Sequence, residues 1–250
     1  MPDTKSQGVR IHYQVEGVGP PLLLQHSFTN SLEAWYQFGY IQKLRNDYKC
    51  ILLDSRGHGA SDKPHETTAY TLPRRVEDVV AVLEALEIPK AHFFGYSMGG
   101  WIGFGLAKYA PERVNALLIG GAHPYADRSW RAFSQVDGTD PEAFIAALEA
   151  VVEQRVPPEL KPYVLANDLQ ALAAAAQERP ALDDVLPIMA MPCFLLIGEA
   201  DSRYPEVQKC AKYIGHATLV SLPGLNHTMG FMRSDLVLPH VMKFLATIRV

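Results

Sequence analysis

The chain has 250 residues, 48% hydrophobic and 20% charged, a balance that supports a folded core and excludes a disordered or fibrous protein. The formal net charge is -4, and Lys and Arg are scattered without forming runs, so the chain lacks the basic field needed to attract nucleic acid or an anionic membrane. Neither is expected as a partner.

In chain order, the first ten residues, MPDTKSQGVR, lack the apolar stretch of a secretory signal and are read as a mature start. Strands are predicted over 9–16, 21–26, 49–54, 90–96, 114–120, 192–198 and 217–222; the first alternates and reads as an edge, the others as buried. Helices are predicted over 72–86, 97–109, 205–214 and 234–249. In the first of these, Val76, Val79, Val80, Leu83 and Leu86 share a face, and Pro89 marks the stop. Strands alternating with helices describe an α/β protein with a mostly parallel sheet covered by helices.

The rhythm breaks between about 122 and 186, where helix-like pieces are separated by Gly138, Pro141, Pro157, Pro158, Pro162 and Pro180. This stretch reads as a helical cap of residues 122–186, inserted in a core made of 1–121 and 187–250. The most apolar window, 93–107, is interrupted by five glycines and Ser97, and it is shorter than the roughly 20 residues a membrane-spanning helix requires. The three cysteines, Cys50, Cys193 and Cys210, have no paired or metal-like spacing, and Cys50 and Cys193 sit in apolar runs as small buried thiols. A cytoplasmic protein without metal is the expectation.

The sharpest motif is Gly95-Tyr96-Ser97-Met98-Gly99, between a predicted strand and a predicted helix. A serine on so tight a turn has strained dihedrals, and small residues two positions to either side let strand and helix approach. The turn lifts the Ser97 hydroxyl off the end of the sheet and directs the Met98 amide toward the oxyanion that forms when a carbonyl is attacked. A serine hydroxyl also needs a base oriented by an acid. His227 follows the last predicted strand and Asp201 follows the one before it, giving the chain order Ser97, Asp201, His227. Glu199, two residues earlier in the same turn, is the alternative acid.

GYSMGG, GEAD, LNH and the segment DSRGHGAS from Asp54 to Ser61 together resemble the α/β-hydrolase superfamily over nearly the whole chain, and within it the capped bacterial esterases and lactonases. The resemblance implies a mostly parallel sheet flanked by helices, with a helical cap inserted after the sixth core strand. It also implies a Ser97, Asp201, His227 triad and a second oxyanion amide at Phe28, in a stretch (His26, Ser27, Phe28) where Ser27 replaces the family's usual glycine. Asp54 and His58 are expected to hold their loop together. Ser27, Trp101, His123, Tyr125 and Trp130, with Phe133 and Phe144, are candidates for shaping the substrate pocket.

The expected activity is hydrolysis of a carboxylic ester or lactone through an acyl-enzyme, with a small molecule as substrate and no metal or organic cofactor; a homodimer is compatible with this reading. The alternatives are a carbon–carbon bond hydrolase of ring-cleavage products, for which Arg128, Arg131 and Arg203 stand in suitable regions, and a low-turnover ligand-binding receptor on the same fold.

Overall fold

A computed structural model describes residues 2–248. The elements are β1 (Asp3–Ser6), β2 (Val9–Glu16), β3 (Pro21–Gln25), α1 (Glu33–Gln37), α2 (Tyr40–Leu44), β4 (Lys49–Leu53), α3 (Leu72–Ala85), β5 (Ala91–Tyr96), α4 (Met98–Tyr109), β6 (Val114–Gly120), α5 (Pro141–Val152), α6 (Lys161–Leu165), α7 (Leu169–Ala175), β7 (Cys193–Gly198), α8 (Tyr204–Ala211), β8 (Ala217–Leu222), α9 (Met229–Met232) and α10 (Ser234–Leu245). The helix expected over 234–249 ends at Leu245, and Arg249 lies outside the described residues.

The strands form one sheet in the order β1-β2-β4-β3-β5-β6-β7-β8, parallel from β4 to β8 and antiparallel at the β1 and β2 end. The expected edge strand, β2, is interior. The polar tetrapeptide DTKS forms β1 and pairs with it from Asp3↔His12 to Ser6↔Val9. Between them Gln7 (φ 50°) and Gly8 (φ 82°) both take positive φ, the two-residue turn whose twist matches a hairpin. At the other edge β8 is half-buried along most of its length, because no further strand covers it, although its composition reads as a buried strand.

Register sorts the side chains into two layers. Leu23, Ile51, Phe93, Leu117 and Cys193 are paired neighbour to neighbour and face the core that includes α3 and α4. One residue on, Leu24, Leu52, Phe94, Leu118 and Phe194 form the opposite row, against Trp35 of α1, Tyr40 and Ile41 of α2, and Val237 and Val241 of α10. The period of two in the strands places alternate residues in opposite layers, so both faces of the sheet are apolar and both need helices.

Between β6 and β7, the described residues form α5, α6, α7 and two short 3₁₀ turns (Ser129–Phe133 and Asp183–Ile188), with an isolated bridge between Asp127 and Arg179. Asp140 caps α5, accepting from the amides of Glu142 and Ala143, and Asp168 caps α7 by accepting from Ala171. Each side chain satisfies donors that a helix start leaves open. Among the described residues no helix is long and apolar enough to cross a membrane.

Candidate active site

Ser97 stands between β5 and α4 with φ 54° and ψ -108°, a conformation that L residues rarely adopt. The turn holds because the residues two positions to either side, Gly95 and Gly99, lack side chains. A Cβ on Gly95 would lie 2.2 Å from the Gly99 carbonyl oxygen, and a Cβ on Gly99 would lie 2.2 Å from that of Gln25 in β3. The Ser97 amide donates to the Gly120 oxygen at 2.7 Å, which ties the turn to β6.

His227 lies on the loop after β8. The hydroxyl of Tyr96, the residue preceding Ser97, donates to the His227 carbonyl at 2.7 Å, and Gln154, just beyond α5, donates to the hydroxyl of Thr228. β5, the end of α5 and the loop are thus joined at the histidine. His227 Nδ1 donates to Asp201 Oδ2 at 2.7 Å, and its Nε2 lies 3.0 Å from Ser97 Oγ, placed to accept the hydroxyl proton. All three side chains are buried.

Burial by itself raises the carboxyl pKa of Asp201, but the hydrogen bond and charge of His227, with the charge and amide of Arg203, outweigh it and hold the group below its ordinary value. His227 is pushed below the usual histidine value, chiefly by burial and next by the positive charge of Arg203, against the pull of Asp201. The imidazole is therefore kept neutral, the form that accepts a proton. Glu199 is exposed and accepts from Ser221 Oγ at 3.1 Å, so it does not serve His227.

The loop after β3 carries Phe28. Among the described residues neither the Phe28 nor the Met98 amide donates a hydrogen bond. Ser27 lines the cavity, but its hydroxyl accepts from Asn30 Nδ2 at 2.6 Å and its carbonyl accepts from the Asn30 amide, so it closes its own turn. His26 Nδ1 donates to the Ser27 carbonyl, and its Nε2 accepts from the Ser55 amide at 3.1 Å. The Phe28 ring meets Trp130, Phe133 and Phe144 with centroids 5.1, 6.0 and 6.4 Å away, so the segment after β6 clamps this loop.

Asp54 accepts from the amides of Leu32 (2.7 Å) and Ala60 (2.8 Å), while His58 Nδ1 donates to the Arg56 carbonyl at 3.1 Å. Both fasten loops. Arg56, in the same DSRGHGAS segment, is wholly buried and forked onto Asp78 of α3 at 2.6 and 2.7 Å.

Above Ser97 and His227 opens a cavity of about 450 Å³ with mostly apolar walls, among them Phe28, Trp130, Leu148, Val151, Val164 and Phe231. Of the expected pocket residues, Ser27 and Trp130 line it. Trp101 does not, because it faces a second cavity behind Met98. His123 and Tyr125 also lie outside the lining; they pack on each other at 5.9 Å, with the Lys209 ammonium over the Tyr125 ring. Phe133 and Phe144 support Phe28 from behind. Arg128 is exposed and Arg131 is paired with Glu178, whereas Arg203 is buried at the cavity wall. Gln154 and Tyr96, which position the His227 loop, carry no local sequence signal, since their partners are 74 and 131 residues away.

Three likenesses to known proteins accompany this geometry. The chain is 31% identical to a 3-oxoadipate enol-lactonase of Acinetobacter baylyi over 86% of this chain and 85% of the relative. It superposes on the crystal structure of an esterase from a Rhodococcus species with a TM-score of 0.84 at 25% identity, covering 99% of this chain and 98% of that one. It matches an N-acyl homoserine lactone degrading enzyme with a TM-score of 0.80 at 27% identity, covering 97% of this chain and 100% of that one. Residues 20–156 match the model of the alpha/beta hydrolase fold family, and the chain belongs to that family.

Proposed function

We propose that the protein hydrolyses small carboxylic esters or lactones through an acyl-enzyme on Ser97. The observation that carries this reading is the continuous relay from Asp201 through His227 to Ser97, at 2.7 and 3.0 Å, at the floor of an apolar cavity. The likenesses to an enol-lactonase and an esterase support the same class of bond.

In the first step Ser97 Oγ attacks the carbonyl carbon while its proton passes to His227 Nε2. Asp201 keeps Nδ1 protonated, so that Nε2 faces the serine, and stabilises the imidazolium as it forms. The carbonyl oxygen gains charge and is met by the amides of Met98 and Phe28, which have no competing acceptor among the described residues. His227 returns the proton to the leaving alkoxide. Water then attacks the acyl carbon and gives its proton to the same nitrogen, which passes it to Ser97 Oγ as the bond to the acyl group breaks and the acid is released. Every role is filled by the chain itself, so no metal or organic cofactor belongs to this mechanism.

The test is hydrolysis of 4-nitrophenyl esters of short and medium chain length and of an aliphatic lactone, by wild type and by Ser97→Ala, with and without chelator. Turnover that disappears in the variant and ignores the chelator is the expected result. Activity surviving in Ser97→Ala, or abolished by chelator, would overturn the mechanism; inactivity of the wild type on every ester and lactone would overturn the substrate class.

A further inference from the structure

Behind the oxyanion turn lies a second cavity of about 220 Å³, separated from the first by Phe28 and Trp130, which line both. Two arginines face it, Arg75 from α3 and Arg179 from the strand-like segment before β7. They are 3% and 9% exposed. Apolar spacing marks α3 as an ordinary amphipathic helix, and a buried arginine on its inner face is unexplained by packing alone.

Among the described residues neither cation has a carboxylate in direct contact. Arg75 spends its donors on the carbonyls of Tyr70 (3.0 Å) and Ala175 (2.9 Å) and on Met98 Sδ (3.1 Å). Arg179 lies with its guanidinium carbon 4.3 Å from the Trp130 ring centroid and 5.1 Å from that of Trp101, and among the described residues its side chain makes no hydrogen bond and no ion pair. The acids nearby are committed elsewhere. Asp78 is forked onto Arg56, Asp127 accepts from the Ser129 amide and hydroxyl, and Glu178 at the rim accepts from Arg131 at 2.7 Å. Burial accordingly pushes Arg179 down to about 9 and Arg75 to about 10.

Two buried positive charges offset only at a distance, Arg179 by Asp127 and Arg75 by Asp78, are costly, and the penalty is relieved when an anion enters between them. A guanidinium whose N–H groups are free offers the planar fork that matches a carboxylate. Phe28, Leu72, Trp101, Trp130 and Leu182 supply apolar walls around it, which suits the short carbon chain of an organic acid better than a fully hydrated inorganic dianion. We infer that this cavity is a binding site for the carboxylate of a small organic acid, held by Arg179 between Trp101 and Trp130 with Arg75 behind. The acid is either a separate molecule or the far arm of the substrate, since the same two aromatic rings divide this site from the one over Ser97.

The experiment is calorimetric titration of wild-type protein with succinate at constant ionic strength in chloride, with succinamide as the neutral counterpart. Saturable binding of succinate, absent for succinamide and weakened at least about tenfold in Arg179→Met but not in Arg45→Gln, an exposed arginine elsewhere, is expected. A crystal of wild type grown with succinate supplies a readout that does not depend on a variant folding, and must place a carboxylate at Arg179. No saturable binding, equal binding of succinamide, or density only elsewhere would overturn the site. Competition between succinate and a 4-nitrophenyl ester, with a raised KM for mono-4-nitrophenyl succinate in Arg179→Met, assigns the carboxylate to the substrate; binding without competition assigns it to a separate acid. Because the titration needs no turnover, failure of the anion site and failure of the hydrolase reading are distinguished.

Discussion

Arg203 Nη1 lies 3.6 Å from Oδ1 of Asp201, while the other oxygen of that carboxylate accepts from His227. The same guanidinium donates to the Val151 carbonyl at the end of α5, at 3.0 Å, so one side chain connects the segment over the cavity with the candidate triad. Its positive charge opposes protonation of His227.

The pH dependence follows from that pair. With His227 held below 6.5, kcat/KM should fall only as the pH drops below that value, where the imidazole takes up its proton. Replacing the cation in Arg203→Met should shift the acid limb upward, so that activity is lost earlier on acidification. Rate profiles of the two proteins decide it; an unmoved or lowered limb would show that Arg203 acts only in packing. Stability should follow the same sign: the unfolded chain protonates this histidine first, so folding weakens as the pH falls below 6.5, and again through Asp201 as it falls below 3.8.

Ser97→Ala should lower kcat by about a thousandfold or more and leave the thermal midpoint near that of wild type, because removing the hydroxyl leaves the backbone turn in place. Single-turnover assays and thermal melts measure the two effects separately. A fluorophosphonate probe should label wild type and fail to label the variant.

Asp201→Asn should cost far more activity than Glu199→Gln. The amide in place of Asp201 favours the wrong imidazole tautomer, whereas Glu199 contacts only Ser221 on an exposed turn. If the order of the two rates is reversed, the acid is misassigned.

Glycines in one helix should divide sharply. In Gly99→Ala the new methyl meets the Gln25 carbonyl at 2.2 Å, just before the Phe28 loop, so activity should collapse and stability fall by about 1–3 kcal/mol. In Gly103→Ala the closest atoms are ends of Leu117 and Phe93 at 3.1 Å, which can yield, and the gain in helix propensity offsets the crowding. Denaturant melts of both variants check the contrast.

Much of the sheet was legible because each strand carries its own signal: β4 to β7 are short apolar runs closed by turn residues, and Gly95 and Gly99 mark the sharp turn between them. Edges were not, since being an edge depends on what lies beside a strand. β1 is a polar tetrapeptide whose only local mark is the Gln7-Gly8 turn, and β8 resembles an interior strand until its missing neighbour is known. The placement of Trp101 on the second cavity, and of His123 and Tyr125 away from the cavity over Ser97, was not legible for the same reason: an aromatic side chain announces burial and not the cavity it faces.

The sequence by itself determined the α/β class, the tight strand-to-helix turn at Ser97, and the order of Ser97, Asp201 and His227, because these rest on backbone conformation and spacing within a few residues of each motif. Only the tertiary structure decided that Asp201 and not Glu199 reaches His227, that Ser27 closes its own turn, and that Arg75, Arg179 and Arg203 are buried beside two cavities. Those facts are distances between segments tens to more than a hundred residues apart, and packing of the segment between β6 and β7 against the sheet and its helices sets them after the local structure is in place.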